Sequence, residues 1–136
     1  MAFQKSAKDL VDEASAEIRT IPPAEALSLT DDDQVVLVDL RDIRERIREG
    51  FIEGSLHAPR GMLEFWVDPD SPYHRKDFAT GQHFVFYCQS GWRSALATKT
   101  VQDMGMGSVS HIGEGFKGWV AAGGAVMKTE DGRQPK

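Results

Sequence analysis

The sequence predicts an α/β fold in which helices cover both faces of a parallel β-sheet. Two runs carry this prediction: VVLVDL at 35–40 and HFVFYC at 83–88, which are rich in β-branched and aromatic residues and lack polar alternation. Strands of this composition are buried on both faces, as in a parallel sheet between two layers of helices. Helical patterns separate the strands along the chain, and this order is typical of right-handed β-α-β units.

The chain before the first strand is predicted to be helical in two places. Residues 3–18 show an amphipathic pattern, with apolar residues at helical spacing: Phe3, Ala7, Leu10, Val11, Ala14 and Ile18. Pro22 and Pro23 favour the start of a second helix, because proline is tolerated in a first turn. The run TDDD that follows is a turn.

The segment between the two main strands is predicted to be mixed. The run RDIRERIRE at 41–49 is dense in charges of both signs, and we interpret it as the solvated face of a helix. A turn around Gly50 and Gly54 follows, then a short extended piece, SLHAP, and a loop, WVDPDSPYH, that contains two prolines.

The last third of the chain is predicted to add a helix, a strand and a short helix. Ser94–Met104 has a helical pattern that stops at Gly105, SVSHI at 108–112 is a strand, and FKGWVAAGG at 116–124 is the closing helix. We expect residues 1–17 to be a helical extension, residues 18–127 to be the main domain and residues 128–136 to be a frayed tail.

Composition excludes several classes of function. The chain has 136 residues and a net charge of −5, and its lysines and arginines are not clustered, so we expect no nucleic-acid partner. No run approaches the roughly 20 apolar residues that cross a bilayer, and the N-terminus lacks the apolar block of a secretory signal. We therefore expect no membrane partner and a cytoplasmic location, where the single cysteine would stay reduced.

Metal ligands and resident cofactors are not expected. The four histidines, His57, His74, His83 and His111, show no spacing typical of a metal site, and one cysteine cannot build a structural zinc site. We predict no metal and no cofactor.

The main candidate for chemistry is Cys88, the only cysteine, which ends a strand and precedes a helix. Ligands of open parallel sheets collect beyond such strand ends. A tight loop here can turn successive backbone N–H groups inward, since Gly91 permits unusual backbone angles, and the helix start and Arg93 add positive charge. This arrangement would favour a thiolate. A free cysteine can also be a small buried hydrophobe, but the loop composition favours the nucleophile.

Other candidate residues surround this loop in the predicted fold. Asp39, at its strand end, either orients the loop or Arg41 by hydrogen bonding, or acts as a helix cap. Arg60, Phe65 and Trp66 are candidates for the edge of the pocket, although for Arg60 the sequence favours a surface position. Trp119 is interpreted as a packing residue.

Four separated segments resemble the rhodanese-like family of single-domain sulfurtransferases. They are the cysteine loop CQSGWRS, the element VVLVDLRD with Asp39 and Arg41, the stretch GFIEGSLHAP, and the closing segment HIGEGFKGWVAAGG. They occur in the family's order, and the resemblance as a whole covers about 110 residues, from near Ile18 to Val126. In two departures, Phe51 stands where the family commonly has a histidine, and the charged stretch before Gly50 lacks the family's aromatic residue.

The resemblance implies a five-stranded parallel sheet and sulfur transfer through Cys88. Thiosulfate or a persulfide donor would leave its sulfane sulfur on Cys88, and cyanide, a thiol or a protein would then remove it. The loop would stabilise the persulfide through its backbone N–H groups; its residues are Gln89, Ser90, Gly91, Trp92, Arg93 and Ser94. In this reading Arg93 neutralises the donor or the leaving sulfite, and Trp92 forms a wall at the mouth.

Two other functions remain open from the sequence. Cysteine-dependent phosphatases and arsenate reductases use a Cys-x5-Arg loop, whereas Cys88 to Arg93 is Cys-x4-Arg, and the lost residue removes roughly 3.5 Å of chain. The shorter loop favours sulfur over phosphate. Alternatively, the domain is a non-catalytic or carrier module whose N-terminal helix docks on a protein partner.

Overall fold

A parallel sheet of five strands forms the centre of the protein in the computed structural model, which describes residues 1–135. The strands are β1 (Thr20–Ile21), β2 (Val35–Asp39), β3 (Leu56–His57), β4 (His83–Tyr87) and β5 (Val109–Ile112). They lie in the order β1-β5-β4-β2-β3, and every neighbouring pair is parallel. The predicted α/β fold is confirmed, including the five strands that the family resemblance implied.

Among the described residues, six α-helices connect and cover these strands: α1 (Ala7–Ser15), α2 (Pro23–Ala26), α3 (Ile43–Glu49), α4 (Leu63–Val67), α5 (Trp92–Met104) and α6 (Gly115–Ala121). Three short 3-10 helices, at Leu27–Asp31, Arg60–Met62 and Lys76–Phe78, complete the connections. Within residues 1–135, no helix combines the length and the apolar character that crossing a membrane requires.

The two faces of the sheet belong to two separate apolar clusters. On one face, Phe84 and Phe86 pack with Ala97 and Val101 of α5 and with α4; on the other, Val85 and Tyr87 of the same strand pack with residues of α2 and α6. Because alternate residues of one strand enter different cores, both sets must be apolar. This explains the absence of polar alternation in β4.

One strand and one α-helix were not predicted from the residues. β1 has two residues, too few for any periodicity, and pairs with β5 through Thr20 opposite His111. The five-residue helix α4 lies partly in the predicted loop, and it buries Leu63 and Val67 against the first core. Helix α5 begins at Trp92, two residues before the predicted start.

Both ends of the chain pack on the domain. Helix α1 buries Val11 and Ala14, and the carbonyl of Glu17 accepts a hydrogen bond from Gln102 of α5 at 2.8 Å. The predicted tail is held to the domain at Gly132, which is buried and whose carbonyl accepts a hydrogen bond from Arg46 at 2.7 Å, so the expected fraying does not apply at that residue. Residue 136 of the predicted tail lies outside the described residues.

Candidate active site

The cysteine loop leaves the sheet at the carboxyl end of β4 and enters α5 directly. Gly91 has a left-handed conformation, with φ of +106°, and helix α5 starts at the next residue. This turn points two N–H groups at the Cys88 Sγ: that of Gly91 at 3.1 Å and that of Ser94 at 3.4 Å. The sulfur therefore lies at the positive end of a 13-residue helix, where a negative charge is stabilised.

The backbone of helix α6 forms hydrogen bonds with this loop. The N–H groups of Phe116 and Lys117 donate to the carbonyls of Cys88 and Gln89, at 2.8 and 3.1 Å. The approach is close because Gly115 has no side chain: a Cβ there would collide with the Cys88 carbonyl and lie 2.8 Å from the Gln89 carbonyl carbon. Gly115 lies within the closing segment HIGEGFKGWVAAGG, but the sequence did not predict that it permits this close contact between the backbones of α6 and the loop.

The thiol itself is buried. Cys88 is 1% exposed, and its Sγ lies 3.6 Å from the Ser94 hydroxyl. That hydroxyl is 2.9 Å from Nδ1 of His111, whose Nε2 is 3.0 Å from the hydroxyl of Thr20. Burial lowers the pKa of His111 to about 4, so the ring is neutral at physiological pH. His111 was not predicted as a site residue, because the histidines were considered only as metal ligands and their spacing indicates no metal site.

Arg93 is held by an acid rather than pointing freely at the sulfur. Its guanidinium forms two hydrogen bonds, both at 2.9 Å, with the carboxylate of Glu45 in α3. The hydrogen bonds from Arg93 lower the pKa of Glu45 and raise that of Arg93, so both groups stay charged. Trp92 is half exposed beside Arg93, and Ser90 is exposed. Glu45 was not among the predicted site residues.

A buried ionic cluster lies next to the loop at the same edge of the sheet. Asp39 accepts hydrogen bonds from the backbone and guanidinium of Arg41, and its Oδ2 also accepts one from Arg46 at 3.1 Å. All three side chains are at most 1% exposed. Arg41 Nη1 donates to the side-chain oxygen of Gln89 at 3.1 Å and so connects the cluster to the loop.

The burial of Arg46 corrects the interpretation of the charge-dense run as a solvated helix face. Only part of that face is in water: the side chain of Arg44 is 82% exposed, whereas Arg46 stacks on the ring of Phe51 at 3.9 Å and donates to Ser55 at 3.2 Å. Phe51, which departs from the family pattern, thus provides the aromatic ring on which the buried guanidinium of Arg46 packs. Asp39 orients Arg41, and the helix cap of α3 is Asp42 instead.

The three predicted pocket residues have their described contacts outside the cysteine loop. Arg60 forms an ion pair with Glu64 at 2.6 Å. Phe65 meets Tyr73 edge-on, and Trp66 carries the guanidinium of Arg75 on its ring at 3.6 Å. Within residues 1–135, the hydrogen bonds and ring contacts of these residues do not connect them to the cysteine loop.

Two grooves on the surface are relevant to ligand access. A groove of about 360 Å³ adjoins the loop and is lined by Glu49, Gln89, Phe116, Lys117 and Val120. A larger cavity of about 580 Å³ is lined by α6, the turn at 52–54 and the tail, and includes none of the loop residues. Among the described residues, no group of three or more histidine, cysteine or acidic side chains is arranged to hold a metal ion.

Comparison with known proteins found a matching family model and similar chains. The chain matches the model of the family described as Rhodanese-like domain over residues 22–122. A mouse protein, "Thiosulfate sulfurtransferase/rhodanese-like domain-containing protein 3", is 30% identical over 101 residues, which are 71% of this chain and 64% of that protein. The chain thus spans less than two thirds of this relative's length.

Solved structures share the fold. A protein of unknown function from Rhodopseudomonas palustris, named "Possible Tyrosine Phosphatase", is 47% identical, with a TM-score of 0.90 over 93% of this chain and 98% of that chain. A thiosulfate sulfurtransferase from Pseudomonas aeruginosa is 20% identical, with a TM-score of 0.68 over 84% of this chain and 20% of that chain. Because the family model covers well over half of its residues, the chain belongs to the rhodanese-like domain family.

Proposed function

We propose that the protein is a sulfurtransferase that carries sulfane sulfur on Cys88. The observation that carries this proposal is the pair of backbone N–H groups, from Gly91 and Ser94, that point at the Cys88 Sγ from the start of α5. Donors fixed in this way stabilise negative charge on sulfur without rearranging during the reaction. The chain belongs to the rhodanese-like domain family, and one protein with the same fold is a thiosulfate sulfurtransferase.

The proposed reaction has two displacement steps. The Cys88 thiolate attacks the outer sulfur of thiosulfate; a new S–S bond forms, the S–S bond of thiosulfate breaks, and sulfite leaves with the electron pair. Cyanide, a thiol or a protein nucleophile then attacks the terminal sulfur of the persulfide and returns the thiolate. Dividing one transfer into two steps in this way is covalent catalysis.

The roles of the surrounding residues follow from their contacts. The N–H groups of the loop would hold the thiolate and the persulfide, and α6 would keep that loop in place. Arg93 would attract the donor anion, although Glu45 neutralises part of its charge. The groove next to Gln89, with Lys117 at its edge, is the approach that we propose for donor and acceptor.

Intact-mass spectrometry tests the proposal directly. Incubation with thiosulfate should add about 32 Da, one sulfur atom, to the wild type and nothing to Cys88→Ser, which should also produce no thiocyanate from cyanide. Thiocyanate formation by Cys88→Ser would exclude the covalent route. The same measurement on protein taken directly from cells would show whether sulfur is already attached.

A phosphatase is the second candidate, because a relative at 47% identity carries that name. Two observations disfavour it: the loop is Cys-x4-Arg, and both outer nitrogens of Arg93 are bound to Glu45 rather than free for a phosphate. Parallel assays for phosphate release and for thiocyanate formation separate the two functions. Phosphate release without thiocyanate would reverse the choice.

The carrier alternative has lost part of its support. Its motivation was an N-terminal apolar face free to dock on a partner, yet Val11 and Ala14 of that face are buried within the chain. We retain residues 1–17 as an extension of the domain and propose the cytoplasm, where a free thiol stays reduced, as the location. Unchanged mass in solution and activity after deletion of residues 1–17 would remove the partner hypothesis.

A further inference from the structure

A continuous row of hydrogen-bonding groups leads from the buried sulfur to the protein surface. Cys88 Sγ is 3.6 Å from Ser94 Oγ, Ser94 Oγ is 2.9 Å from His111 Nδ1, and His111 Nε2 is 3.0 Å from Thr20 Oγ1. Cys88, Ser94 and His111 are at most 4% exposed, whereas Thr20 is exposed. The row spans three elements, α5, β5 and β1, that the parallel register brings together.

The row has two complete arrangements, because each hydroxyl can donate or accept and a neutral histidine carries its proton on either nitrogen. When Cys88 is a thiol, S–H donates to Ser94, Ser94 donates to Nδ1 of His111, and Nε2–H donates to Thr20. When Cys88 is an anion, every bond reverses: Thr20 donates to Nε2, Nδ1–H donates to Ser94, and Ser94 donates to the sulfur. Both arrangements leave every buried group satisfied.

The imidazole is suited to this exchange because it changes tautomer without changing charge. Burial is the cause that lowers its pKa to about 4. The charged side chains of α5 have partners of their own, namely Glu45 for Arg93 and both Glu17 and Asp103 for Lys99. Of the other groups nearby, His83 bonds to the hydroxyls of Ser108 and Ser110, and Arg19, which precedes Thr20, is a cation. An imidazolium here would have no compensating anion, so proton exchange by tautomer is the available route.

We propose that Ser94, His111 and Thr20 form a proton relay that connects the sealed Cys88 thiol to solvent and that switches Ser94 from acceptor to donor when the sulfur becomes anionic. The balance is one proton: Cys88 gives its proton to Ser94, Ser94 gives its own to Nδ1 of His111, Nε2 gives its own to Thr20, and Thr20 releases one to water. Return of the thiol reverses each transfer. His111 and Thr20 are positioning residues in this scheme, since they act on the sulfur through Ser94.

This inference refines the site of the proposed function but does not need sulfur transfer to be tested. The first test is the ¹⁵N NMR spectrum of the histidine rings, recorded as pH is raised, with the signal of His111 assigned from its absence in His111→Asn. The proton of His111 should move from Nε2 to Nδ1 over the same pH range in which Cys88 becomes reactive to iodoacetamide. In Cys88→Ala this tautomer change should be absent. One fixed tautomer across that pH range, or the same change in Cys88→Ala, would overturn the relay.

Alkylation rates provide the second test, and the single cysteine makes intact mass a clean readout. His111→Leu removes the donor to Ser94, so the alkylation profile should move to higher pH and the rate at pH 7 should fall about fivefold, a typical effect of one lost hydrogen bond. His111→Asn, which keeps an N–H that can reach Ser94, should retain most of the rate. Equal losses in both variants would indicate a packing role instead.

A pair of surface variants keeps the test independent of folding. Thr20→Val is nearly isosteric but lacks the hydroxyl, and it should slow alkylation at pH 7 about twofold. Thr20→Ser keeps the hydroxyl and should match the wild type. Identical rates for the valine and serine variants would remove Thr20 as the exit of the relay.

Discussion

Two neighbouring regions at the carboxyl edge of the sheet handle charge in opposite ways. The cysteine loop surrounds its sulfur with main-chain N–H groups from Gly91 and Ser94 and with neutral side chains. The cluster around Asp39 compensates its charge mainly with charged side chains, since two buried arginines bind one carboxylate. The sulfur of Cys88 and the carboxylate of Asp39 are both almost completely buried, so the difference lies in which atoms compensate the charge.

This difference decides which substitutions each region can accept. A main-chain N–H donates whatever side chain its residue carries. Substitutions in the loop should therefore matter mainly at glycines, which permit backbone conformations or close contacts that other residues do not. In the cluster, every charged group compensates another, and removing one leaves a buried charge without a partner. We therefore expect the cluster to control stability and the loop to control reactivity.

Asp39→Asn should have the largest effect on stability. The substitution keeps the shape but removes the only buried negative charge that Arg41 and Arg46 share. Breaking such a group typically costs about 3–5 kcal/mol in the free energy of unfolding, which urea denaturation measures. The alkylation rate of the fraction that remains folded should change much less.

Asp42→Asn is the matched control for this prediction. Asp42 pairs with Arg44, whose side chain is 82% exposed, and asparagine is as good a helix cap as aspartate. Its free energy of unfolding should stay close to that of the wild type. If the two asparagine variants were equally stable, the cluster would not depend on its buried charge.

Gly115→Ala should damage the loop through its backbone. The new Cβ would collide with the carbonyl of Cys88, and the residue has φ of +57°, which costs about 1–2 kcal/mol for a non-glycine residue. With the overpacking, the expected loss is about 2–4 kcal/mol, together with slower alkylation of Cys88.

The control, Gly54→Ala, has a φ of +83° but no atom within 4 Å of the added Cβ. It should lose only the strain of the backbone and keep the wild-type alkylation rate. Equal reactivity in the Gly54 and Gly115 variants would show that α6 does not position the loop.

The fold was largely predictable because its signals are local. The apolar runs gave β2 and β4, and the loop motif gave Cys88 at a strand end with N–H groups directed at it. The two-residue strand β1 and the five-residue helix α4 were missed, since such short elements are stabilised by their neighbours and not by their own pattern.

The contacts of the site were less predictable because they join distant parts of the chain. Arg46 has no local feature that separates it from Arg44, and only the position of Phe51 and of the tail makes it buried. The pairing of Arg93 with Glu45 spans 48 residues, and it redirects a guanidinium that the motif alone would aim at the donor. The cysteine-loop motif identified Arg93 as a residue of the site, but it did not predict which side chain Arg93 would bind.

His111 makes the stability of the loop region depend on pH. Its folded pKa, about 4, is below the unfolded value of about 6.5, so the unfolded state binds more protons as pH falls. The stabilisation is present above pH 6.5 and declines between pH 6.5 and 4. At pH 5 the wild type should have lost about 2 kcal/mol through this group. Urea denaturation at pH 7 and pH 5 should show a smaller decline for His111→Asn, and parallel declines would contradict the assignment.

Glu45→Gln should have the smallest effect, and it tests whether side-chain charge matters to the loop at all. Glutamine keeps the hydrogen bond that caps α3 but releases Arg93 from its ion pair, so the KM for thiosulfate should fall about two- to threefold with little change in kcat. Stability should change by about 1 kcal/mol or less, because the pair is partly exposed.

The comparison for this last variant is Glu64→Gln, which releases Arg60 from a similar ion pair. Arg60 has no described contact with the loop, so its release should leave the KM for thiosulfate unchanged. A lower KM in the Glu64 variant would bring Arg60 back into the donor site. An unchanged KM in the Glu45 variant would mean that backbone N–H groups alone attract the donor. The loop would then use no side-chain charge, whereas the Asp39 cluster depends on it.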